Sequence, residues 1–248
     1  MDSENYVFLV KRGDEKGNSR FDRFNVPKKK ISTVLEGLVY ISENLDGTLS
    51  FRHSCRMEIC GSCSMQINGK PRMACSTIAE SLGSNTIRVS PLPHYQVIKD
   101  LVVDIDPFFE KYRKVKPYII RKDDKSPGVE LLQTPEQFKI YEQYSMCIKC
   151  GLCLAACPIS GSDDDYLGPA ALAAALRFNL DSRDEGTPIR LEITGGESGT
   201  SRCHYAGECT EVCPKDVDPS RAIQLLRRTG ISHELKNAFR RGKHAGKR

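Results

Sequence analysis

The 248-residue chain contains no tryptophan and no apolar run approaching the ~18 residues of a membrane-spanning helix. Its best stretch, Pro169 to Leu176, is far too short. A secretory leader is not expected from the opening stretch: MDSENYVFLVKR is acidic where a signal would be basic, and its apolar run is brief. A cytosolic chain, not itself integral to a membrane, is the expectation. A G-x-G-x-x-G fingerprint, a P-loop and a nucleophile elbow are all missing, which removes the commonest dinucleotide, triphosphate and hydrolase sites. The five histidines, at 53, 94, 204, 233 and 244, form no ligand pattern. A net charge of +5 is too mild to indicate a nucleic-acid partner, and no basic–aromatic face supports one.

Cysteine is what the chain has in excess. There are eleven, an odd number, in three groups spanning 55–75, 147–157 and 203–213. Odd counts in a cytosolic chain argue against a disulfide framework, and short C-x2-C steps argue for metal.

Around these groups the pattern changes once. Residues 6–12 and 20–26 alternate like strands, 32–45 carries apolar residues at helical spacing, Asn68-Gly69 marks a hairpin within 64–73, and 86–91 reads as a closing strand. After about residue 105 helix and loop take over. A short helix is expected in 107–115. Another is capped by Thr134 with Pro135 and Gln137 and runs into Cys147. A third covers 168–178, and a fourth begins at Asp218-Pro219 and ends near Gly230, whereas 183–201 reads as loop. The expected fold class is α+β. With the cysteine steps C-x4-C-x2-C in the first group and C-x2-C-x2-C-x3-C-P in the second, residues 1–105 are expected to form a plant-type ferredoxin (β-grasp) domain and residues 106–248 an all-α bacterial-ferredoxin-like domain.

The spacings specify the chemistry. Cys55, Cys60, Cys63 and Cys75 spell C-x4-C-x2-C-x11-C, the plant-type spacing for a [2Fe-2S] cluster. Ser54, Gly61, Ser62 and Ser64 allow backbone N–H groups close to the sulfurs. Cys147, Cys150, Cys153 and Cys157 with Pro158 spell C-x2-C-x2-C-x3-C-P, the bacterial run whose last cysteine serves a second cluster. Cys203, Cys209 and Cys213 repeat that spacing with Ala206 in place of one cysteine. The exchange of fourth ligands assigns Cys147, Cys150, Cys153 and Cys213 to a [4Fe-4S] cluster. It leaves Cys157, Cys203 and Cys209 for a three-ligand [3Fe-4S] cluster. For both cubane-type runs and for the first group the competing reading is structural zinc. For the three-ligand set it is a [4Fe-4S] cluster with a non-cysteine ligand, or an empty site. Three clusters consume all eleven thiols, so none remains for nucleophilic catalysis, and no catalytic residue is assigned.

The stretches SCRMEICGSCSMQINGKPRMAC (54–75), CIKCGLCLAACP (147–158), YLGPAALAAALRFNLDSRD (166–184) and RCHYAGECTEVCPKDVDPSRAI (202–223) together resemble the iron–sulfur subunit of the succinate dehydrogenase and fumarate reductase family. That resemblance implies a wire without dicarboxylate chemistry of its own. Electrons would pass from FAD on a flavoprotein subunit through [2Fe-2S], [4Fe-4S] and [3Fe-4S] to a quinone at a membrane-anchor subunit, with the chain peripheral on the cytoplasmic face of the cell membrane. It also implies a quinone edge at Pro158, His204 and Arg227. The bland readings of these three are a helix-entry proline, a surface histidine and a solvated basic face. Two departures leave quinone type and direction open. Cys55-Arg56-Met57-Glu58 stands where many members have C-R-E-G, and Ile159-Ser160-Gly161 follows Cys157-Pro158 where ubiquinone-using members carry tryptophan. Succinate oxidation is the first reading and fumarate reduction the alternative. A soluble protein with structural clusters is the alternative of another class. The tail from Arg227 to Arg248 holds eight Lys/Arg and one acid, Glu234. It reads as lying against anionic lipid or an acidic partner, or else as a solubilising end.

Overall fold

The computed structural model describes residues 4–122 and 130–245, with side chains through residue 233 and at Leu235. The basic side chains of the tail beyond that point lie outside the described residues. Backbone contacts divide the chain into two units. The first comprises Met1–Pro107 with 148–156 and 212–215; the second comprises Phe108–Cys147, 157–211 and 216–248.

In the first unit β1 (Asn5–Gly13) and β2 (Ser19–Pro27) pair antiparallel over their whole length, as their alternation predicts. Helix α1 (Val34–Asn44) follows. Its Thr33 hydroxyl accepts from Glu36 N–H while the Glu36 carboxylate accepts from Thr33 N–H, a capping box that fixes the helix start. Strands β3 (Ser64–Ile67) and β4 (Lys70–Met73) form the hairpin, with Asn68 at φ 47° and Gly69 at φ 82°, the left-handed pair that a tight hairpin turn requires. Strand β5 (Thr86–Ser90) inserts between β1, to which it is parallel, and β3, giving the order β2-β1-β5-β3-β4. This mixed sheet crossed by one helix is the β-grasp expected. Phe8, Val10, Leu38, Ile41, Met65, Ile67, Ile87 and Val89 fill the space between sheet and helix.

Two short strands, β6 (Val97–Lys99) and β7 (Val102–Val103), were not expected. They turn at Asp100, whose carboxylate accepts from Gly13 N–H (3.2 Å) and Ser50 N–H (2.9 Å) and faces the Arg12 Nε at 3.0 Å. Arg12 is buried and also meets Asp46 and the Thr48 hydroxyl. A polar knot of this kind gives no periodic signal in the sequence.

In the second unit the helices are α2 (Asp106–Lys114), which starts at the end of the first unit, then α3 (Pro135–Lys139), α4 (Glu142–Ser145), α6 (Pro169–Asn179), α7 (Thr187–Gly195), α8 (Glu208–Glu211) and α9 (Pro219–Ala245). Helix α5 (Leu152–Ala156) belongs to the first unit. Three expectations change. The helix expected from Thr134 to Cys147 breaks into α3 and α4 at Tyr141, which leaves the helical region because its ring is buried under Arg177 and its hydroxyl donates to Gln133. The stretch 183–201, expected as loop, contains α7, started by Thr187-Pro188 and held by Arg190. The last helix does not end at Gly230 but continues to Ala245. A single glycine costs a helix only about 1 kcal/mol, and the good helix formers that follow outweigh it.

Arg190 ties this unit together. It and Asp184 have fully buried side chains joined at 2.7 and 2.8 Å. Arg190 also donates to the carbonyls of Lys116 (3.0 Å) and Tyr118 (2.6 Å), and Asp184 accepts from Ile120 N–H (2.9 Å) and Gly186 N–H (2.6 Å). Burial raises the Asp184 carboxyl's pKa, but these bonds outweigh it and the net shift is downward. Beside it α6, nearly all alanine and leucine, is buried along most of its length and packs against α4, α7 and α9. Removing one partner of a fully buried pair strands the other charge, which costs about 3–5 kcal/mol. Arg190→Met should therefore lower thermal stability by that order in calorimetry of the purified protein. A melting curve matching wild type would show that the pair does not hold the unit.

Candidate metal centres

The first cysteine group lies on the loop between α1 and β3, with Cys75 just after β4. The loop bends through left-handed residues at Arg56 (φ 57°), Glu58 (φ 59°) and Gly61 (φ 74°). These bends turn backbone donors inward. The N–H groups of Met57, Ile59 and Cys60 point at the Cys55 sulfur at 3.3–3.4 Å, and that of Glu58 at the Cys75 sulfur at 3.3 Å. Such a nest of N–H groups is an anion site, the environment an anionic cluster needs. The Ser62 hydroxyl lies 3.1 Å from the Cys60 sulfur and, with backbone donors, lowers that thiol to about 6, whereas burial pushes Cys63 up to about 12. The Glu58 carboxylate accepts from the Ser76 hydroxyl. Ser64 begins β3, inside the hairpin expected at 64–73, and donates to the Gly61 carbonyl at 2.9 Å.

Cys150 lies just before α5 and Cys153 within it, both in the first unit, which also contains Cys213 in the segment 212–215, while Cys147 ends a stretch of the second. Lys149 (φ 56°) and Gly151 (φ 81°) bend the chain between them. Tyr95 donates from its hydroxyl to the Gly151 carbonyl at 3.1 Å. Burial, then the charges of Cys153 and Cys150, raise that phenol's pKa. Gly61 abuts Cys150: a Cβ at Gly61 would lie 2.9 Å from the Cys150 Cα. The loop carrying Cys60 and Cys63 thus touches the segment carrying Cys150 through bare backbone.

In the second unit Cys157, Cys203 and Cys209 line one pocket, with Pro158, Tyr166, His204, Tyr205 and Ala206 among the other lining residues. Burial, then the charges of Cys157 and Cys203, push the Cys209 thiol up to about 12. Held as thiolates, three sulfurs lining one pocket would repel one another unless a metal group supplied positive charge, so the donor set fits one. Pro158, His204 and Ala206 are exposed. Arg227 is exposed on α9 and does not line the pocket. Two aromatic neighbours were not foreseen. Tyr205, at φ 59°, is exposed on the rim, and Tyr166 is fully buried. Both are aromatic residues close in sequence to the cysteine runs, but only the fold shows which one is inside.

None of the eleven cysteines is in a disulfide. Among the described residues no three His, Cys, Asp or Glu side chains are gathered closely enough to share one metal ion. A cluster has no need of that, because it spreads its cysteines over two or more irons.

Residues 7–110 match the family model for a 2Fe-2S iron-sulfur cluster binding domain, and residues 143–217 that for a 4Fe-4S dicluster domain. Among curated proteins the chain is 47% identical over 219 residues to the fumarate reductase iron-sulfur subunit of Mycobacterium tuberculosis, covering 87% of this chain and 88% of that one. The chain belongs to the family of succinate dehydrogenase and fumarate reductase iron–sulfur subunits. The mitochondrial succinate dehydrogenase [ubiquinone] iron-sulfur subunit of Candida glabrata is 38% identical, covering 79% and 78% of the two chains. Among solved structures, a chain of the Mycobacterium smegmatis Sdh1 complex in the apo form superposes with a TM-score of 0.86 at 26% identity, covering 94% of this chain and 98% of that one. As a member of this family the chain is an iron–sulfur electron-transfer subunit of an oxidoreductase complex, built from 2Fe-2S and 4Fe-4S binding domains.

Gly61 provides a direct check on the cysteine loops. Gly61→Ala forces an L-residue into the left-handed region, costing about 1–2 kcal/mol, and drives a methyl into Cys150, adding roughly 1–3 kcal/mol of overpacking. The variant should melt earlier and broaden the [2Fe-2S] EPR signal. An unaltered spectrum with an unaltered melting temperature would mean that the two segments do not touch.

Proposed function

We propose that this subunit carries electrons within a membrane-bound succinate:quinone oxidoreductase, between FAD on a flavoprotein partner and a quinone at a membrane-anchor subunit. Residues 1–105 act as the [2Fe-2S] domain and 106–248 as the domain of the other two clusters. Cys55, Cys60, Cys63 and Cys75 hold [2Fe-2S]; Cys147, Cys150, Cys153 and Cys213 hold [4Fe-4S]; Cys157, Cys203 and Cys209 hold [3Fe-4S]. When bound, the clusters supply one-electron carriers in series, linking the two-electron chemistry of flavin to that of quinone. The chain's own residues bind them, surround their sulfurs with N–H donors and exclude water.

The observation that carries this reading is the pocket of Cys157, Cys203 and Cys209, in which Ala206 occupies the place of a fourth thiol. Three thiolates bring less negative charge than four, so the cluster they hold is easier to reduce and suits the quinone end. Backbone contact between Gly61 and Cys150 favours transfer between the first two clusters, because electron tunnelling falls steeply with distance. Met57 and Ile59 remain exposed on the [2Fe-2S] loop, an apolar face that a flavoprotein would cover. No helix among the described residues is long and apolar enough to cross a membrane, so an anchor subunit would hold the chain at the membrane, on its cytoplasmic face. The fumarate reductase names of several relatives favour a second reading, in which the same wire runs from quinol to fumarate.

Isolation of the complex from membranes, with its partners identified and the oxidised sample examined by EPR, tests the assignment. Ala206→Cys should abolish the oxidised [3Fe-4S] signal, replace it with a [4Fe-4S] cluster of lower potential and slow quinone reduction. Survival of the signal would show that the ligands have been misassigned.

His204 follows a ligand of the same cluster and lies exposed at the pocket rim, where a histidine can hydrogen-bond a quinone oxygen or relay its proton. His204→Ala is expected to slow succinate-to-quinone transfer more than tenfold. Dye reduction upstream and all three EPR signals should be preserved. Equal loss of both activities would assign the histidine to folding, and loss of neither would place the quinone site wholly on the anchor. Arg227 is exposed on α9 outside the pocket lining, so it would serve the quinone edge as a cation through a partner surface rather than through the pocket.

A further inference from the structure

Tyr166 lines the pocket of Cys157, Cys203 and Cys209 and is 0% exposed. Its backbone is pinned on both sides. Tyr166 N–H donates to the Asp163 carbonyl at 3.3 Å, Leu167 N–H donates to the Ser198 carbonyl at 2.9 Å, and α6 begins two residues later. The ring is therefore held in place before any ligand binds. Its hydroxyl shares the pocket with Cys203 and makes no hydrogen bond to any described atom. A buried hydroxyl without an acceptor costs about 1–3 kcal/mol, and phenylalanine would fill the same volume without that cost. The unsatisfied donor calls for an acceptor that the polypeptide does not provide, and a metal–sulfur group offers several sulfur lone pairs.

We propose that Tyr166 donates its O–H to a sulfur of the iron–sulfur cluster bound by Cys157, Cys203 and Cys209 and thereby raises that cluster's reduction potential. The inference rests on the assignment of those three cysteines to a [3Fe-4S] cluster. Reduction adds one electron, and the extra negative charge spreads onto the sulfurs. A fixed donor binds the reduced state more strongly than the oxidised one. The proton stays on the phenol throughout. Tyr166 is thus a positioning residue that tunes the step delivering electrons to the acceptor and does not itself react.

Two substitutions at one atom test this in the purified complex, read by potentiometric EPR titration. Tyr166→Phe removes the donor and keeps the ring; the [3Fe-4S] midpoint should fall, with the one-electron equilibrium shifting roughly three- to tenfold, the latter being 59 mV. Incorporating 3-fluorotyrosine at position 166 keeps the hydroxyl and makes it a stronger donor, so the midpoint should rise. A purely structural role would not move the potential in opposite directions. An unmoved midpoint in both proteins, with the signal at full intensity, overturns the proposal while leaving the ligand assignment intact. If Tyr166→Phe fails to assemble the cluster, the fluorotyrosine protein decides alone, and no rise overturns the proposal. A wild-type complex with no [3Fe-4S] signal would refute the ligand assignment itself, and the proposal with it.

Discussion

Charged sulfur has to be held where little water reaches it, and the backbone N–H is the donor that does so without adding a side chain. The cost appears in the dihedral angles. Arg56, Glu58, Lys149 and Tyr205 all sit at φ between 56° and 59° in or beside cysteine runs, joined by Gly61, Gly151 and Gly207. A left-handed L-residue costs roughly 1–2 kcal/mol. Such strain persists only where the surroundings over-determine it. In the first loop the return is visible, since four N–H groups point at the sulfurs of Cys55 and Cys75. Most of what surrounds these loops can be understood as scaffolding that keeps the bends in place.

The scaffolding differs between the two units. In the first, an apolar sheet–helix core reaches as far as Cys63, Cys75 and Cys150, so these cysteines and the hydrophobic core are one structure. In the second, small side chains let α6 sit deep among its neighbours, and loops rather than strands must be anchored. That work falls to charged groups: Arg190 gathers the Lys116 and Tyr118 carbonyls onto Asp184, and Arg183 and Arg177 both meet the buried Asp181. Arg183 above all holds that carboxyl down to about 2, so it stays ionised throughout the physiological range. Buried ion pairs add little net stability against apolar alternatives, but they fix where a loop goes. Fixing loops is what a cluster with ligands from distant segments requires.

This division explains what was legible beforehand. Strands β1 to β5 and α1 follow from periodicity, turn signals and capping, α6 from the helix propensity of its alanines and leucines, and the cysteine groups from spacing, because all of these are local in sequence; β6 and β7 carry no such signal. The break at Tyr141 and the helix at Thr187–Gly195 leave no local signal because buried contacts to Arg177 and Asp184, made by residues far from them or hidden in polar runs, override weak local preference. Neither Tyr166 nor Tyr205 could be assigned to the inside or the rim from sequence, since each is a single aromatic in a non-periodic segment. The pocket itself, uniting residues 157–169 with 203–223, is a product of tertiary structure.

The fold also bears on why the second cysteine run is incomplete. Cys157 and Cys209 are buried and Cys203 half-buried, whereas Ala206 is exposed at the rim beside His204 and Tyr205. The missing thiolate is the one that would have faced outward. On the proposed assignment, three inner ligands hold the cluster by its buried side and leave its unligated corner toward the exposed edge. On the same assignment, a cysteine at position 206 would put a further negative charge on the cluster's exposed side and would lower its potential. Alanine removes that charge and bulk while the remaining ligands stay anchored by the buried helices. On that assignment one substitution favours reduction of the three-ligand cluster without requiring the rest of the fold to change.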